Sequence, residues 1–383
     1  MSRPDTPRPS RPSPAPGGSA PSRPPLRVMS VVGARPQFVK LAPIDRAFSA
    51  AGIDHVIVHT GQHYDPLLSD IFFSDLGISA PDEHLGIGSG THGAQTGAML
   101  AAMDEVITER APQWVLVYGD TNSTLAGALS AVKLHVPVAH LEAGLRSFDR
   151  RMPEEINRVL TDHAADLLLT PTAVGARHLA DEGLAARTVV VGDVMTDVLL
   201  DVRDRVAGSP SPIVAGMGLE PGSYSLATIH RAENTDDAGR LGAILDSLAG
   251  LGHPVVLLAH PRLVAKCSEH GIALADRGSL RVHSPLPYPE LIASALAARG
   301  VITDSGGLQK EAFLLRVPCT TVRPVTEWVE TVELGWNALV EPGPDLVRAA
   351  CRPAPDEPAP QEAHPYGDGR AAERVAAELA SRA

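Results

Sequence analysis

The chain has 383 residues, 44% hydrophobic and 20% charged, a soluble globular composition sized for two ordinary domains rather than one. Its 33 Lys and Arg against 45 Asp and Glu leave a formal charge of −12, which argues against a nucleic-acid binder needing a basic face. An anionic small substrate stays open, because a few local cations and helix N-termini are enough to hold one. Three cysteines, Cys267, Cys319 and Cys351, form no CxxC pair and no metal-ligand spacing, as expected of reduced thiols in a cytoplasmic protein. No run approaches the ~18 apolar residues of a membrane helix, and no apolar signal-peptide region opens the chain. The expectation is a cytoplasmic protein with no membrane, nucleic-acid or metal partner.

Residues 1–25 are Pro, Ser and Arg with almost nothing to bury, and read as a disordered tail. Short β-branched runs then alternate with helical patterns. LRVMSVVG precedes a helix from Pro36, and DHVIVHT precedes another. A long helix spans His92 to Arg110, WVLVYGD leads to a helix from Asn122, and VPVAHLE to one around Glu155 to Ala165. LLLTPT, a helix and TVVVGDV close this first series. A helix and a Gly/Pro-rich link lead to a second series: YSLATIH, PVVLLAH, LRVHSP, GVITDSG, PCTTVR and NALVEP, separated by helices. RPAPDEPAPQEAHP reads as a loop before a final helix, Gly369 to Ala380. The strands are continuous apolar runs, the signature of parallel sheets covered on both faces. The predicted fold class is α/β, two Rossmann-like, doubly wound parallel-sheet domains around a deep cleft. The expected division is 26–205 for the first domain, 206–366 for the second, and 367–383 as a helix packing back on the first.

In open α/β sheets, ligands bind outside the C-terminal strand ends. Those ends read GARP, TGQHYD, GDTNS, EAGLR, HRAEN, HPR and DSGG. Asp and Ser cap helices routinely, but polar groups at seven strand ends exceed what capping explains. Ser305, Gly306 and Gly307 fall between a strand and a helix, where small residues let backbone amides approach a phosphate. Glu311, one turn on, is placed to accept ribose hydroxyls; a plain glycine turn with an exposed glutamate is the bland alternative. The motif is neither a Walker A loop nor GxGxxG, so neither an ATPase nor a nicotinamide enzyme is favoured. Arg35 and Lys40 offer cations to a diphosphate, against a solvated helix position for Lys40. Asp120 and Glu142 end strands, and Glu154 and Glu155 start the next helix. Crowded carboxylates can have their pKa values pushed apart into one base and one acid. His230 ends the first strand of the second series and is expected to face them. The competing readings are an N-cap for Asp120, a first-turn glutamate for Glu155 and a satisfied, partly buried imidazole for His230.

GARPQFVKLAP, VYGDTNSTLAGALSA, HLEAGLRSFDRRMPEEINR, TDHAADLLLTPT, ATIHRAEN, TDSGGLQKEA and TEWVETVELGWN together resemble the non-hydrolysing UDP-N-acetylglucosamine 2-epimerases. The likeness runs from about Val28 to PYGDGRAAE. It implies a GT-B architecture, a homodimer, no cofactor, and inversion at C2 of a UDP-linked amino sugar (UDP-GlcNAc to UDP-ManNAc). The implied route removes the C2 proton, eliminates UDP to a 2-acetamidoglucal and re-adds it. Carried over by motif, Asp120, Glu142, Glu154 and His230 are the catalytic candidates. Arg35, Lys40, Ser305, Gly306, Gly307 and Glu311 fall on UDP-binding positions, and the arginines of the HLEAGLRSFDRRMPEEINR stretch are expected to manage an anionic substrate. The chain departs from the family at QHYDPLL, where many members carry QHRQML for an activating second UDP-GlcNAc. It departs again at Pro324 and Trp328, which leaves the sugar open. The alternatives are a hydrolysing relative releasing N-acetylmannosamine and UDP, a 2-epimerase for another UDP-sugar, a GT-B glycosyltransferase, and a silent UDP-sugar-binding protein.

Overall fold

The computed structural model describes residues 25–62, 78–208, 211–355 and 364–382. The N-terminal tail, the helix expected after DHVIVHT and the QHYDPLL stretch beyond Gln62 lie outside the described residues.

Two parallel sheets form the frame. The first has seven strands in the order β3-β2-β1-β4-β5-β6-β7. These are β1 (Arg27–Val32), β2 (Asp54–His59), β3 (Glu83–His84), β4 (Trp114–Tyr118), β5 (Val138–Leu141), β6 (Leu167–Thr170) and β7 (Thr188–Val190). The second has six, in the order β10-β9-β8-β11-β12-β13. These are β8 (Ser225–Thr228), β9 (Val255–Leu258), β10 (Leu280–His283), β11 (Gly300–Thr303), β12 (Cys319–Thr321) and β13 (Asn337–Leu339). Strand order reverses between β1 and β4 in one sheet and between β8 and β11 in the other. Such reversals open a crevice at the strand ends, because neighbouring connections leave on opposite faces.

The helices that bear on the site are α1 (Arg35–Ala51), α2 (His92–Arg110), α3 (Asn122–Lys133), α4 (Pro153–Ala164), α5 (Val194–Val206), α6 (Tyr288–Leu296), α7 (Gly306–Leu314) and α8 (Ala371–Ser381). Burial on both sheet faces explains the unbroken apolar strands. On β4, Leu116 and Tyr118 enter the core under α1 and α8. Val115 and Val117 enter the opposite one, with Met103 and Ile107 of α2 and Ala128 of α3.

Helix α5 belongs to both halves. Val194 packs in the first core, and Leu199 and Val202 pack in the second with Ile292 of α6. The chain then returns, and Val375 and Leu379 of α8 bury themselves beside α1. Helix α8 begins at Ala371 rather than at Gly369 as expected from sequence. Gly367 and Gly369 take φ of +95° and +85°, a left-handed backbone that no helix accommodates. Gly367 needs that freedom, since a Cβ there would sit 3.1 Å from the Cα of Gly192 on the outgoing strand.

At this crossing Asp193 accepts from Lys310 of α7 in a buried ion pair. Its amide donates to the Tyr366 carbonyl at 2.9 Å. Burial works against the Asp193 charge, but Lys310 and the Met195 amide outweigh it and hold the carboxyl below its ordinary range. The Lys310 ammonium lies 4.6 Å from the Trp328 ring centroid. Breaking such a pair strands a buried charge. Lys310→Met is therefore expected to lower stability by on the order of 3 kcal/mol in denaturant melts. Lys310→Met/Asp193→Asn, in which the Asn amide oxygen can still cap α5, is expected to recover part of that loss.

Candidate active site

The site grows from the two strand-order reversals. At the first, Gly33 follows β1 so closely that a Cβ would lie 2.0 Å from Thr60 Oγ1 and 2.2 Å from Ser123 Oγ. Gln37 ties this loop to the end of β4: its carbonyl accepts from Gly33 and Ala34, and its amide donates to the Tyr118 carbonyl at 2.7 Å. Arg35 opens α1, and its side chain lies outside the described residues.

Lys40 is no solvated helix residue. It is largely buried and pairs with Glu142. Burial is the largest influence on its ammonium and disfavours the charge. Glu142, then Asp193 and Asp120, outweigh burial and raise the pKa above the ordinary lysine value. Glu142 leaves β5 with φ +76°, a left-handed conformation uncommon for a residue with a Cβ. Gly119, opposite, makes room, for a Cβ there would stand 3.1 Å from the Glu142 carboxylate.

Asp120 is not the cap of α3; Thr121 is, accepting from the Thr124 amide. Asp120 instead pairs with Arg158 at 2.7 Å. Arg158 also reaches Glu155 at 2.7 Å. The two glutamates that open α4 differ sharply. Glu155 is buried and accepts from the Ser147 and Phe148 amides at 2.9 and 3.0 Å, which fixes the loop after β5. Burial raises its pKa less than those bonds and Arg158 lower it. Glu154 is exposed, with no hydrogen bond or ion pair among the described residues.

The arginines expected to manage an anionic substrate are mostly engaged within the protein. Arg146 is held by Asp162 and Glu182, Arg151 by Asp149, and Arg158 as above. A carboxylate within reach of each guanidinium wins over a free cation in the cleft, and Arg150 is the exposed one left without such a pair among the described residues.

At the second reversal, Asp304 is fully buried and accepts from the amides of His230 and Arg231 and from Asn234. It locks the HRAEN loop to the end of β11. His230 lies 3.5 Å from Asp304 through Nδ1 and 4.9 Å, ring to ring, from His260. Burial, with His260 and Arg231, lowers its pKa, and Asp304 only partly offsets them. It shares no direct contact with Asp120, Glu142 or Glu154 among the described residues.

Ser305 caps α7, accepting from the Leu308 amide. A Cβ on Gly306 would come within 3.4 Å of the Arg231 guanidinium. That cation beside the glycine turn was missed in the sequence, although it directly follows His230. Trp328 donates Nε1 to the Gly306 carbonyl at 2.7 Å, so the residue that departs from the family pattern braces this loop. Glu311 is not an exposed glutamate. It accepts from the Tyr288 hydroxyl at 2.9 Å, and burial raises its pKa. A cavity of about 320 Å³ opens here, lined by His230, His260, Tyr288, Ser305, Gly307 and Glu311 among others. Among the described residues no group of three or more His, Cys, Asp or Glu is placed to hold a metal ion.

One edge thus offers paired carboxylates and a lysine, and the other a glycine turn, an arginine and a half-buried cavity. The family model for UDP-N-acetylglucosamine 2-epimerase matches residues 46–380. The UDP-2,3-diacetamido-2,3-dideoxy-D-glucuronate 2-epimerase of Pseudomonas aeruginosa is 46% identical over 93% of this chain and 99% of its own. The solved UDP-GlcNAc 2-epimerase of Methanocaldococcus jannaschii is 38% identical, with a TM-score of 0.83 over 93% of this chain and 100% of its own. A second structure of that enzyme, in complex with UDP-GlcNAc and UDP, gives a TM-score of 0.74 over the same shares. The chain belongs to the UDP-N-acetylglucosamine 2-epimerase family.

Proposed function

We propose that this protein inverts C2 of a UDP-linked 2-acetamido sugar by eliminating UDP and adding it back, without hydrolysis. The observation that carries this reading is the two ion pairs, Lys310 with Asp193 and Lys40 with Glu142, which tie up charges from the glycine-turn helix, the start of α5, α1 and the strand-end acid. UDP, as the leaving group, would lie against the amides of Ser305, Gly306 and Gly307, with Arg231 beside them and Glu311 at the ribose. Such preorganised donors stabilise the charge that develops as the anomeric C–O bond breaks. Lys40 would meet the diphosphate from the other side, and Arg35 stays a UDP-binding candidate on its GARP motif alone. Asp120, Glu142 and Glu154 supply the base and acid for C2, whose proton is too weakly acidic to leave without concerted help. His230, its imidazolium disfavoured by burial, suits a neutral proton acceptor rather than a fixed cation.

UDP-GlcNAc is the first substrate reading, supported by its presence in the M. jannaschii complex. A second reading is a UDP-2,3-diacetamido uronic acid, supported by the 46% identity to the P. aeruginosa enzyme. A homodimer in the cytoplasm stays part of the proposal.

Incubation in D2O with each UDP-sugar, followed by proton NMR, tests the reaction. The expected result is an epimeric UDP-sugar carrying deuterium at C2. Free sugar and UDP as the lasting products would point to the hydrolysing alternative, and unchanged protium with both sugars would count against C2 chemistry. Glu142→Gln is expected to lower kcat by roughly 10²–10⁴-fold, the range for a lost acid–base group. His230→Asn is expected to fall in the same range. Steady-state assays in which both variants kept wild-type turnover would overturn the site assignment.

A further inference from the structure

One buried charge cluster lies outside the groups given roles above. His140, in β5 two residues before Glu142, is fully buried. Its Nδ1 lies 2.6 Å from Asp162 Oδ1, and its Nε2 lies 2.7 Å from the Gly119 carbonyl. A carbonyl only accepts. Asp162 already accepts through Oδ2 from the Gly144 amide at 3.1 Å and from Arg146 at 2.7 Å. Burial disfavours the Asp162 charge, but the ring and Arg146 outweigh it and keep the carboxyl below its ordinary range. With Asp162 ionised, both ring nitrogens face acceptors, and both bonds form only if each nitrogen carries a proton. Arg146 in turn reaches Glu182, which also takes His163 at 3.1 Å, so the cluster around His140 comprises Asp162, Arg146, Glu182 and His163.

What the cluster holds is specific. Gly119 immediately precedes Asp120. Gly144 lies two residues after Glu142. Asp162 projects from α4, the helix that Glu154 opens. Gly119, Glu142 and Gly144 take φ of +62°, +76° and +81°, three left-handed residues in two adjacent turns. The Gly119 carbonyl on one turn and the Gly144 amide on the other are bridged by the His140–Asp162 pair.

We propose that His140, protonated on both ring nitrogens and paired with Asp162, is a positioning residue that sets Asp120 and Glu142 relative to each other for the C2 reaction. It touches no substrate. The inference rests on the proposed epimerisation for its kinetic readout, and on the ring itself for an independent one.

His140→Gln is the informative variant, since an amide cannot donate in both directions along this line. Loss of registry between reacting groups costs about 10²-fold in rate. The expected result is a kcat lower by about 10²-fold with KM and UDP affinity within about 3-fold of wild type, because the UDP cavity lies on the other sheet. A kcat within about 3-fold of wild type overturns the proposal. So does a loss in kcat that is matched by an equal loss in UDP affinity, the pattern of a general folding defect. Long-range 1H–15N NMR on the unaltered protein, with the ring assigned through the His140 backbone, reads the protons directly. Two N–H nitrogens support the proposal and one bare nitrogen contradicts it, whether or not the variant folds. If wild-type protein turned over no UDP-sugar, the epimerase reading would fail, and the ring spectrum would still decide the protonation claim.

Discussion

Two ion pairs, Lys310 with Asp193 and Lys40 with Glu142, stand between the helix after DSGG and the acid after β5, and the Asp193 charge also favours the Lys40 ammonium. Charges out of water need partners, and here each partner comes from a different part of the chain. Lys310 belongs to α7 in the second half. Asp193 caps α5, the helix shared by both cores. Lys40 comes from α1, and Glu142 from a strand end. Satisfying these charges therefore sets the two sheet edges against each other.

Backbone strain follows the same logic. Glu142 takes a left-handed conformation that costs a residue with a Cβ, and Gly119 leaves room for its carboxylate, while Gly144 lets the chain pass close to Gly175. Glu155 bonds the loop that follows, Arg158 bridges Asp120 to Glu155, and Asp304 clamps the HRAEN loop. Carboxylates thus divide the work. Glu142 and Asp120, at strand ends, pair with side-chain cations, while Glu155, Asp162 and Asp304 also take backbone amides.

The frame was legible in the sequence because unbroken apolar strands alternating with amphipathic helices have few other solutions. Strand ends could be located, and with them the polar residues that became site candidates. Partnership was not legible. Lys40 reads equally as a solvated helix residue until Glu142, more than a hundred positions on, is seen beside it. The arginines after Glu142 read as free cations, yet Asp162 and Glu182 claim Arg146. Glu154 and Glu155 are chemically identical neighbours, and only helix phase decides that the second is buried. Arg231, Asp304 and His140 lay inside quoted motifs but drew no role there, since their contacts come from what folding brings within hydrogen-bond reach. The start of α8 shifted because positive φ at Gly367 and Gly369 comes from a chain crossing, invisible to local propensity.

The central claim is that the acids of one sheet and the phosphate cradle of the other act on one substrate, so that the anomeric C–O bond breaks during each turnover. Positional isotope exchange tests this most directly. A substrate UDP-sugar labelled with 18O at the bridging glycosyl oxygen would be recovered after partial turnover and its phosphorus resonances read. Scrambling of the label into the non-bridging β-phosphate oxygens is the expected result, because UDP held in the cleft can rotate its phosphate before it re-adds. Label confined to the bridge after full C2 equilibration would contradict elimination, and with it the joint action of the two sheet edges.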